Sequence, residues 1–94
     1  MDNIYRRVSA MRTEEKLGRA DAAVAFLNDR ISNGLDIEED RVMWNILDGA
    51  EQDDVYGRIC SLIGYVIGEK YKTGDQKLVY EMVTGEKLEE TKKA

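Results

Sequence analysis

The fold is decided by the most apolar stretch of the chain, residues 54–71, which reads DVYGRICSLIGYVIGEKY. At helical spacing, eight of its apolar residues fall on one continuous arc: Val55, Tyr56, Ile59, Cys60, Leu62, Ile63, Val66 and Ile67. Such an arc is typical of an amphipathic helix that packs on a core. A strand over residues 62–67 is the alternative, because Ile, Tyr and Val favour β-structure. The continuous arc favours the helix.

A second stripe on the same predicted helix consists of small residues: Gly57, Ser61, Gly64 and Gly68. Each glycine costs roughly 1 kcal/mol in a helix relative to alanine. Three of them on one side therefore predict that another backbone approaches closely there. Two partners fit this prediction. One is a second copy of the chain, in a homodimer, and the other is the alanine-rich second helix of the same chain.

Upstream of this stretch, the apolar spacing predicts a first helix over residues 2–12 and a second over residues 14–32. Thr13 is a candidate N-cap of the second helix, because its hydroxyl can accept hydrogen bonds from the amides that follow. Asn33 and Gly34 then supply a left-handed exit.

A third helix is predicted from a cap at Asp36 through Leu47, with acidic residues filling its first turn. Asp48 and Gly49 would end it. Asp53 is then the candidate cap of the apolar helix that follows.

The C-terminal part allows two interpretations. Residues 75–83 can form a short helix that ends at Gly85, or a strand that pairs with residues 65–71. Residues 86–94 are highly charged, which predicts a frayed tail. The sequence thus predicts one mainly α domain over residues 1–94, a small bundle of three to four helices. The alternative is an α+β fold with a C-terminal β-hairpin after residue 60.

The composition argues against several classes of function. The 94 residues include no histidine, no proline and one cysteine, Cys60, so the commonest acid–base group and most zinc ligands are missing. We therefore expect no enzyme activity, no metal site and no cofactor. No apolar run reaches the roughly 18 residues that a membrane span needs, and no signal-peptide pattern is present. A cytoplasmic protein that does not bind membranes is expected.

An acidic block dominates the electrostatics. Residues 36–54 hold eight acids and one base, whereas the whole chain has a net charge of −5. Such a field attracts basic proteins and makes nucleic-acid binding unfavourable, although helix N-termini also collect acids. The only tryptophan, Trp44, lies inside the block and is either core or an interface anchor. We expect an acidic protein-binding module, an inhibitor or adaptor of a basic, nucleic-acid-binding protein, whose contact residues are Ile37, Asp40, Trp44, Asp48, Glu51 and Asp54.

An N-terminal cluster supports an alternative function. It consists of one aromatic and three basic residues: Tyr5, Arg6, Arg7 and Arg12. Arginine pairs with phosphate and tyrosine stacks on bases, so a small regulator that binds nucleic acid or a nucleotide is the second hypothesis. The net charge of residues 1–35 is only +1, which is low for a nucleic-acid binder.

Overall fold

The computed structural model describes residues 3–34 and 37–88, and these residues form five helices. In chain order they are α1 (Ile4–Ala10), α2 (Thr13–Ser32), α3 (Glu38–Leu47), α4 (Val55–Gly68) and α5 (Gly74–Thr84). The described residues contain no strand. The prediction of a small helical bundle is therefore confirmed, with a short fifth helix, and the alternative of a β-hairpin after residue 60 is wrong.

The most apolar helix, α4, packs against all four of the others, as α5 also does. Its inward side is fully buried at Val55, Ile59, Leu62, Ile63 and Val66. The predicted apolar arc is thus confirmed along its middle line, where burying each such side chain is worth roughly 1.5–3 kcal/mol. Tyr56 and Ile67, at the edge of the arc, are exposed.

Helix ends follow the predicted glycines. Gly34, Gly49 and Gly85 all have positive φ angles, of 83°, 76° and 77°. Glycine adopts this backbone conformation without the steric cost that a Cβ imposes. The exits of α2, α3 and α5 were therefore readable from the sequence.

Helix starts differ from the prediction. Thr13 is the first residue of α2 and not its cap, which is Arg12. The cap of α4 is Asp54 instead of Asp53. The predicted cap Asp36 lies outside the described residues, and Ile37 stands at the cap position of α3. Each difference amounts to one residue, which is within the usual uncertainty of a helix boundary.

The start of α5 is fixed by a capping box that the sequence analysis did not identify. The Thr73 hydroxyl accepts a hydrogen bond from the backbone N–H of Gln76 at 3.0 Å. The side-chain oxygen of Gln76 accepts one from the backbone N–H of Thr73 at 2.7 Å. Gln76 is fully buried, and its amide nitrogen donates to the Tyr65 hydroxyl at 3.2 Å. This buried polar group therefore has partners in both α4 and α5, and it ties the two helices together.

The beginning of the predicted tail is in contact with the rest of the molecule. Leu88 packs against the hydrophobic core, and the Glu86 carboxylate lies 2.6 Å from the Arg7 guanidinium. Residues 89–94, the remainder of that tail, lie outside the described residues.

Candidate functional site

The fold separates the acids of the block into interior and surface groups. Asp40 in α3 is fully buried, whereas Asp48, Glu51 and Asp53, in the connection from α3 to α4, are exposed. Asp40 was predicted to contact a partner, and in this structure it has no exposed surface with which to do so. The α3 backbone turns its side chain toward the bundle, on the same side as Met43 and Leu47.

The buried Asp40 belongs to a cluster contributed by three helices, the Arg30–Asp40–Asp75 cluster. Arg30 comes from α2 and Asp75 from α5, and Arg30 Nη2 lies 3.2 Å from Asp75 Oδ1. Among the described residues, no donor group hydrogen-bonds to either buried oxygen of Asp40. The Asp75 carboxyl group is its neighbour in the cluster and can hydrogen-bond to it only through a shared proton. A hydrogen bond between two carboxyl groups needs a proton on one of them.

The environment of Asp40 favours its protonated form. Burial raises the pKa of Asp40 to about 6, and the hydrogen bond to Asp75 and the negative charge of that residue act in the same direction. Arg30 opposes them. A carboxylate removed from water without a donor is unfavourable, so the proton is held to higher pH than in an unfolded chain.

Trp44 lies at the boundary between core and solvent. Its side chain packs against the core but keeps intermediate exposure. The indole Nε1 is buried and has no hydrogen-bond acceptor among the described residues. Part of the Trp44 side chain therefore belongs to the core, and part remains exposed to solvent.

One side of α3 leads from Trp44 to the exposed acids. Ile37, Arg41, Trp44 and Asp48 follow one another at spacings of four, three and four residues, which places them along one side of a helix. Ile37 is 40% exposed, and Arg41 and Asp48 are also exposed. We call Ile37, Trp44 and Asp48, together with Glu51 and Asp53, the α3 face.

Asp54 was also predicted to contact a partner, and the structure gives it an internal role. Its carboxylate accepts from the Glu51 amide at 2.7 Å and lies 3.1 Å from Arg58 Nε. Arg58 Nη1 in turn donates to the carbonyl oxygens of Ile46 and Asp48, at 3.2 and 2.8 Å. The hydrogen bond from Glu51 and the pairing with Arg58 lower the pKa of Asp54. Asp54 and Arg58 thus hold the loop that presents the exposed acids.

The N-terminal arginine cluster is only partly assembled. Arg7 pairs with Glu86, and Arg12 lies beyond the end of α1, with its guanidinium 3.6 Å from the Glu14 carboxylate. Tyr5 is 37% exposed, and its carbonyl accepts from the Tyr56 hydroxyl at 3.4 Å. Arg6 is exposed. The fold therefore does not hold the three arginines on a single helix face.

The stripe of small residues on α4 points outward. Gly57, Ser61, Gly64 and Gly68 are all exposed. A Cβ added at Gly57 or Gly68 would meet nothing within 4 Å, and one at Gly64 would meet only the Tyr5 hydroxyl, at 3.9 Å. The prediction that this stripe packs closely against α2 is therefore wrong. Two larger apolar side chains flank it: Tyr56, 38% exposed, and Ile67, 48% exposed.

Two residues of the buried cluster, Arg30 and Asp75, were not identified as important from the sequence. Positions 30, 40 and 75 belong to three helices, and no local spacing relates them. Only the tertiary packing of α2, α3 and α5 brings them together. The sequence shows that Asp75 is a charged residue near the start of α5, but it does not show that Arg30 is its partner.

Two further features of the described part of the chain bear on function. It contains no group of three or more acidic, cysteine or histidine side chains arranged to hold a metal ion. None of its helices is both long enough and apolar enough to cross a bilayer.

Comparison with protein families, with curated proteins and with solved structures finds no match to this chain. The features of the molecule that bear on its function are therefore the α3 face and the Arg30–Asp40–Asp75 cluster.

Proposed function

We propose that the protein is a non-catalytic binding module whose α3 face docks on a basic protein. The observation that carries this proposal is the exposure of Asp48, Glu51 and Asp53, which begin one helical turn after the partly exposed Trp44, where the Asp48 amide donates to the Trp44 carbonyl oxygen. Carboxylates near an aromatic side chain combine long-range attraction with a contact that excludes water.

The residues of the α3 face have two different tasks in this proposal. Trp44 and Ile37 supply the apolar contact area, and tryptophan is among the residues most enriched at interface hot spots. The exposed acids accelerate encounter with a basic surface, an effect that weakens as salt screens the charges. Asp40 has no part in this contact, because it is buried.

A partner that recognises acids in this way carries a surplus of lysine and arginine, as nucleic-acid-binding proteins do. By covering that basic surface, the module acts as an inhibitor or an adaptor. We place it in the cytoplasm, where an unpaired thiol such as that of Cys60 stays reduced.

A charge-matched pair of variants tests the proposal. Asp48→Ser/Glu51→Ser removes two acids from the α3 face, and Glu14→Ser/Asp21→Ser removes two exposed acids from α2. Both variants have the same net charge, so only the position of the charge differs. Immobilised wild type and Glu14→Ser/Asp21→Ser should capture the same basic protein from a cell lysate, identified by mass spectrometry.

Asp48→Ser/Glu51→Ser and Trp44→Ala should both lose that protein. Equal capture by the two charge-matched variants would mean that the chain attracts basic proteins through its total charge alone. The proposed docking face would then be wrong.

A second proposal, self-association, is favoured by the outward face of α4. Its exposed residues Gly57, Ser61, Gly64, Ile67 and Gly68 carry no charge, so two acidic chains can meet there without placing like charges in contact. The helix has 14 residues and is thus about 21 Å long. A contact of that length is small, which predicts a weak homodimer.

Sedimentation equilibrium over a wide range of protein concentration tests this second proposal. Wild type should show a reversible monomer–dimer equilibrium, and Ile67→Lys should shift it toward monomer. Leu78→Lys is the control, since Leu78 is 44% exposed on α5 and lies off this face. A wild type that stays monomeric at every concentration would contradict the proposal.

A further inference from the structure

The Arg30–Asp40–Asp75 cluster is an unusual element in the interior of so small a bundle. Asp40 is fully buried, and the side chain of Asp75 is only 14% exposed. Neither oxygen of Asp40 has a hydrogen-bond partner among the described residues. Two neighbouring carboxyl groups repel each other when both are ionised, and a single proton can turn that repulsion into an attractive hydrogen bond. The cluster therefore has two states that differ by one proton.

We propose that Asp40 and Asp75 share a proton in the folded protein, and that release of this proton to solvent loosens the attachment of α3 to α2 and α5. The inference concerns the packing of α3 and does not depend on what the α3 face binds. Asp40 is the group that holds the proton, because it is the more deeply buried of the two and the Arg30 guanidinium lies against Asp75.

The charged groups around Asp40 determine whether its protonated or its ionised form is favoured. Arg30 of α2 favours the ionised form, whereas Asp75 of α5 and Glu39 of α3 itself oppose it. Tyr65 and Gln76, from α4 and α5, hydrogen-bond to each other and carry no charge near neutral pH. Among the described groups that act on Asp40, one cation is thus opposed by two other carboxyl groups, and this balance favours a proton on Asp40.

The attachment of α3 is the contact that ionisation weakens most directly. Helix α3 has 10 residues, and the side chain of its N-cap residue, Ile37, makes no capping hydrogen bond. Its buried side consists of Asp40, Met43 and Leu47. An ionised Asp40 would occupy one of these three positions without a donor, which is unfavourable in an interior.

The effect of pH on stability has a definite sign. The pKa of Asp40 lies at about 6 in the folded state, against an ordinary value of 3.8. Stabilisation by the shared proton is complete below the ordinary value, is lost progressively as the pH rises through this interval, and is absent above it. Each pKa unit corresponds to a factor of about ten in the unfolding equilibrium constant.

Asp40→Asn is the decisive variant, because its amide can donate to Asp75 at every pH and so imitates the protonated state. Asp48→Asn is the matched control at the C-cap of the same helix, since Asp48 is exposed. Urea unfolding, followed by the fluorescence of Trp44, gives the unfolding equilibrium constant of each protein. From about pH 4 to about pH 7, the ratio of the wild-type constant to the Asp40→Asn constant should rise about a hundredfold.

The same ratio taken against Asp48→Asn should stay within about threefold over this range, because an exposed carboxyl group is hydrated in the folded and the unfolded state alike. Amide hydrogen exchange supplies the structural measurement. Above about pH 6, the protection of α3 amides in wild type should fall relative to those of α4, and it should not fall in Asp40→Asn. Parallel protection in the two proteins would overturn the loosening of α3.

A third measurement needs no variant. The carboxyl ¹³C resonance of Asp40 in the wild-type protein should titrate well above the range of ordinary aspartates. A midpoint near the ordinary value, or unfolding constants of wild type and Asp40→Asn that run parallel across the pH range, would overturn the shared proton.

Discussion

Asp40 and Asp48 are the same residue type at the two ends of one helix, and the fold uses them in opposite ways. Asp40 lies in the interior against Asp75, whereas Asp48 lies on the surface beside Trp44. The interior carboxyl group affects stability through its proton, and the surface carboxyl group affects encounter with other molecules through its charge. A count of acids in the sequence does not distinguish these two effects, because burial decides which of them a side chain has.

The difference follows from how far water and salt reach each of the two carboxyl groups. Around Asp40 the solvent is excluded, so hydrogen bonds and nearby charges shift the protonation equilibrium. Around Asp48 water and salt screen the charge, so it contributes little to stability and acts mainly at longer range.

The largest effect on the interior side is expected from loss of the guanidinium in the Arg30–Asp40–Asp75 cluster. Arg30→Gln would leave Asp40 and Asp75 without the guanidinium that now lies 3.2 Å from Asp75. We expect the free energy of unfolding at neutral pH to fall by about 2 kcal/mol, below the values for fully buried pairs because Arg30 is partly exposed. Urea unfolding measures this change.

Arg12→Gln is the matched control on the surface side. Arg12 is 82% exposed and lies 3.6 Å from an equally exposed Glu14, so its loss should change the free energy of unfolding by less than about 0.5 kcal/mol. Equal effects of the two substitutions would remove the distinction between interior and surface charges.

A smaller effect is expected at the loop that presents the surface acids. Asp54→Asn weakens the interactions of the Asp54 carboxylate with the Glu51 amide and with Arg58, so the melting temperature should fall. Asp53→Asn, one residue away and exposed, should leave the melting temperature almost unchanged. Thermal unfolding followed by circular dichroism measures both.

The pH dependence of the Asp54 effect is opposite in sign to that of Asp40. The pKa of Asp54 is lowered in the folded state, so its contribution is present above its ordinary value and is lost as the pH falls toward the lowered one. The difference in melting temperature between wild type and Asp54→Asn should therefore shrink in acid. A difference that grows in acid would contradict this assignment.

The smallest effect concerns the outward face of α4. Gly57→Ala adds a methyl group that meets nothing within 4 Å, so it should stabilise the monomer by about 0.5–1 kcal/mol. Gly34→Ala is the contrasting control, because the φ of Gly34 is +83° and a Cβ is strained there. Denaturation at low protein concentration separates the two, and a loss of stability in Gly57→Ala would indicate an intrachain contact at that position.

Features that depend on neighbouring residues could be predicted from the sequence. The apolar spacing of residues 54–71 identified α4, and the glycines at 34, 49 and 85 identified helix ends. Helix starts were displaced by one residue, as at Asp53 and Asp54, because two adjacent acids are equally suited to a cap.

Features that depend on long-range packing could not be predicted. Asp40 lies in the first turn of α3, where an acid is favoured by the helix dipole whichever way its side chain points. Its burial follows from the approach of Arg30 and Asp75, which are distant in the sequence. Of the α3 face, Ile37, Trp44, Asp48 and Glu51 were identified from the sequence as candidate contact residues, whereas Asp53 was interpreted as a helix cap.

The central claim, that the exposed acids of the α3 face steer the protein onto a basic partner, is tested most directly by association kinetics. Trp44 fluorescence in a stopped-flow instrument gives the rate constant with the captured partner at increasing ionic strength. We predict a rate that falls steeply with salt for wild type and for Glu14→Ser/Asp21→Ser. The rate of Asp48→Ser/Glu51→Ser should be slower at low salt and should depend less on salt. The same salt dependence in all three proteins would contradict the claim.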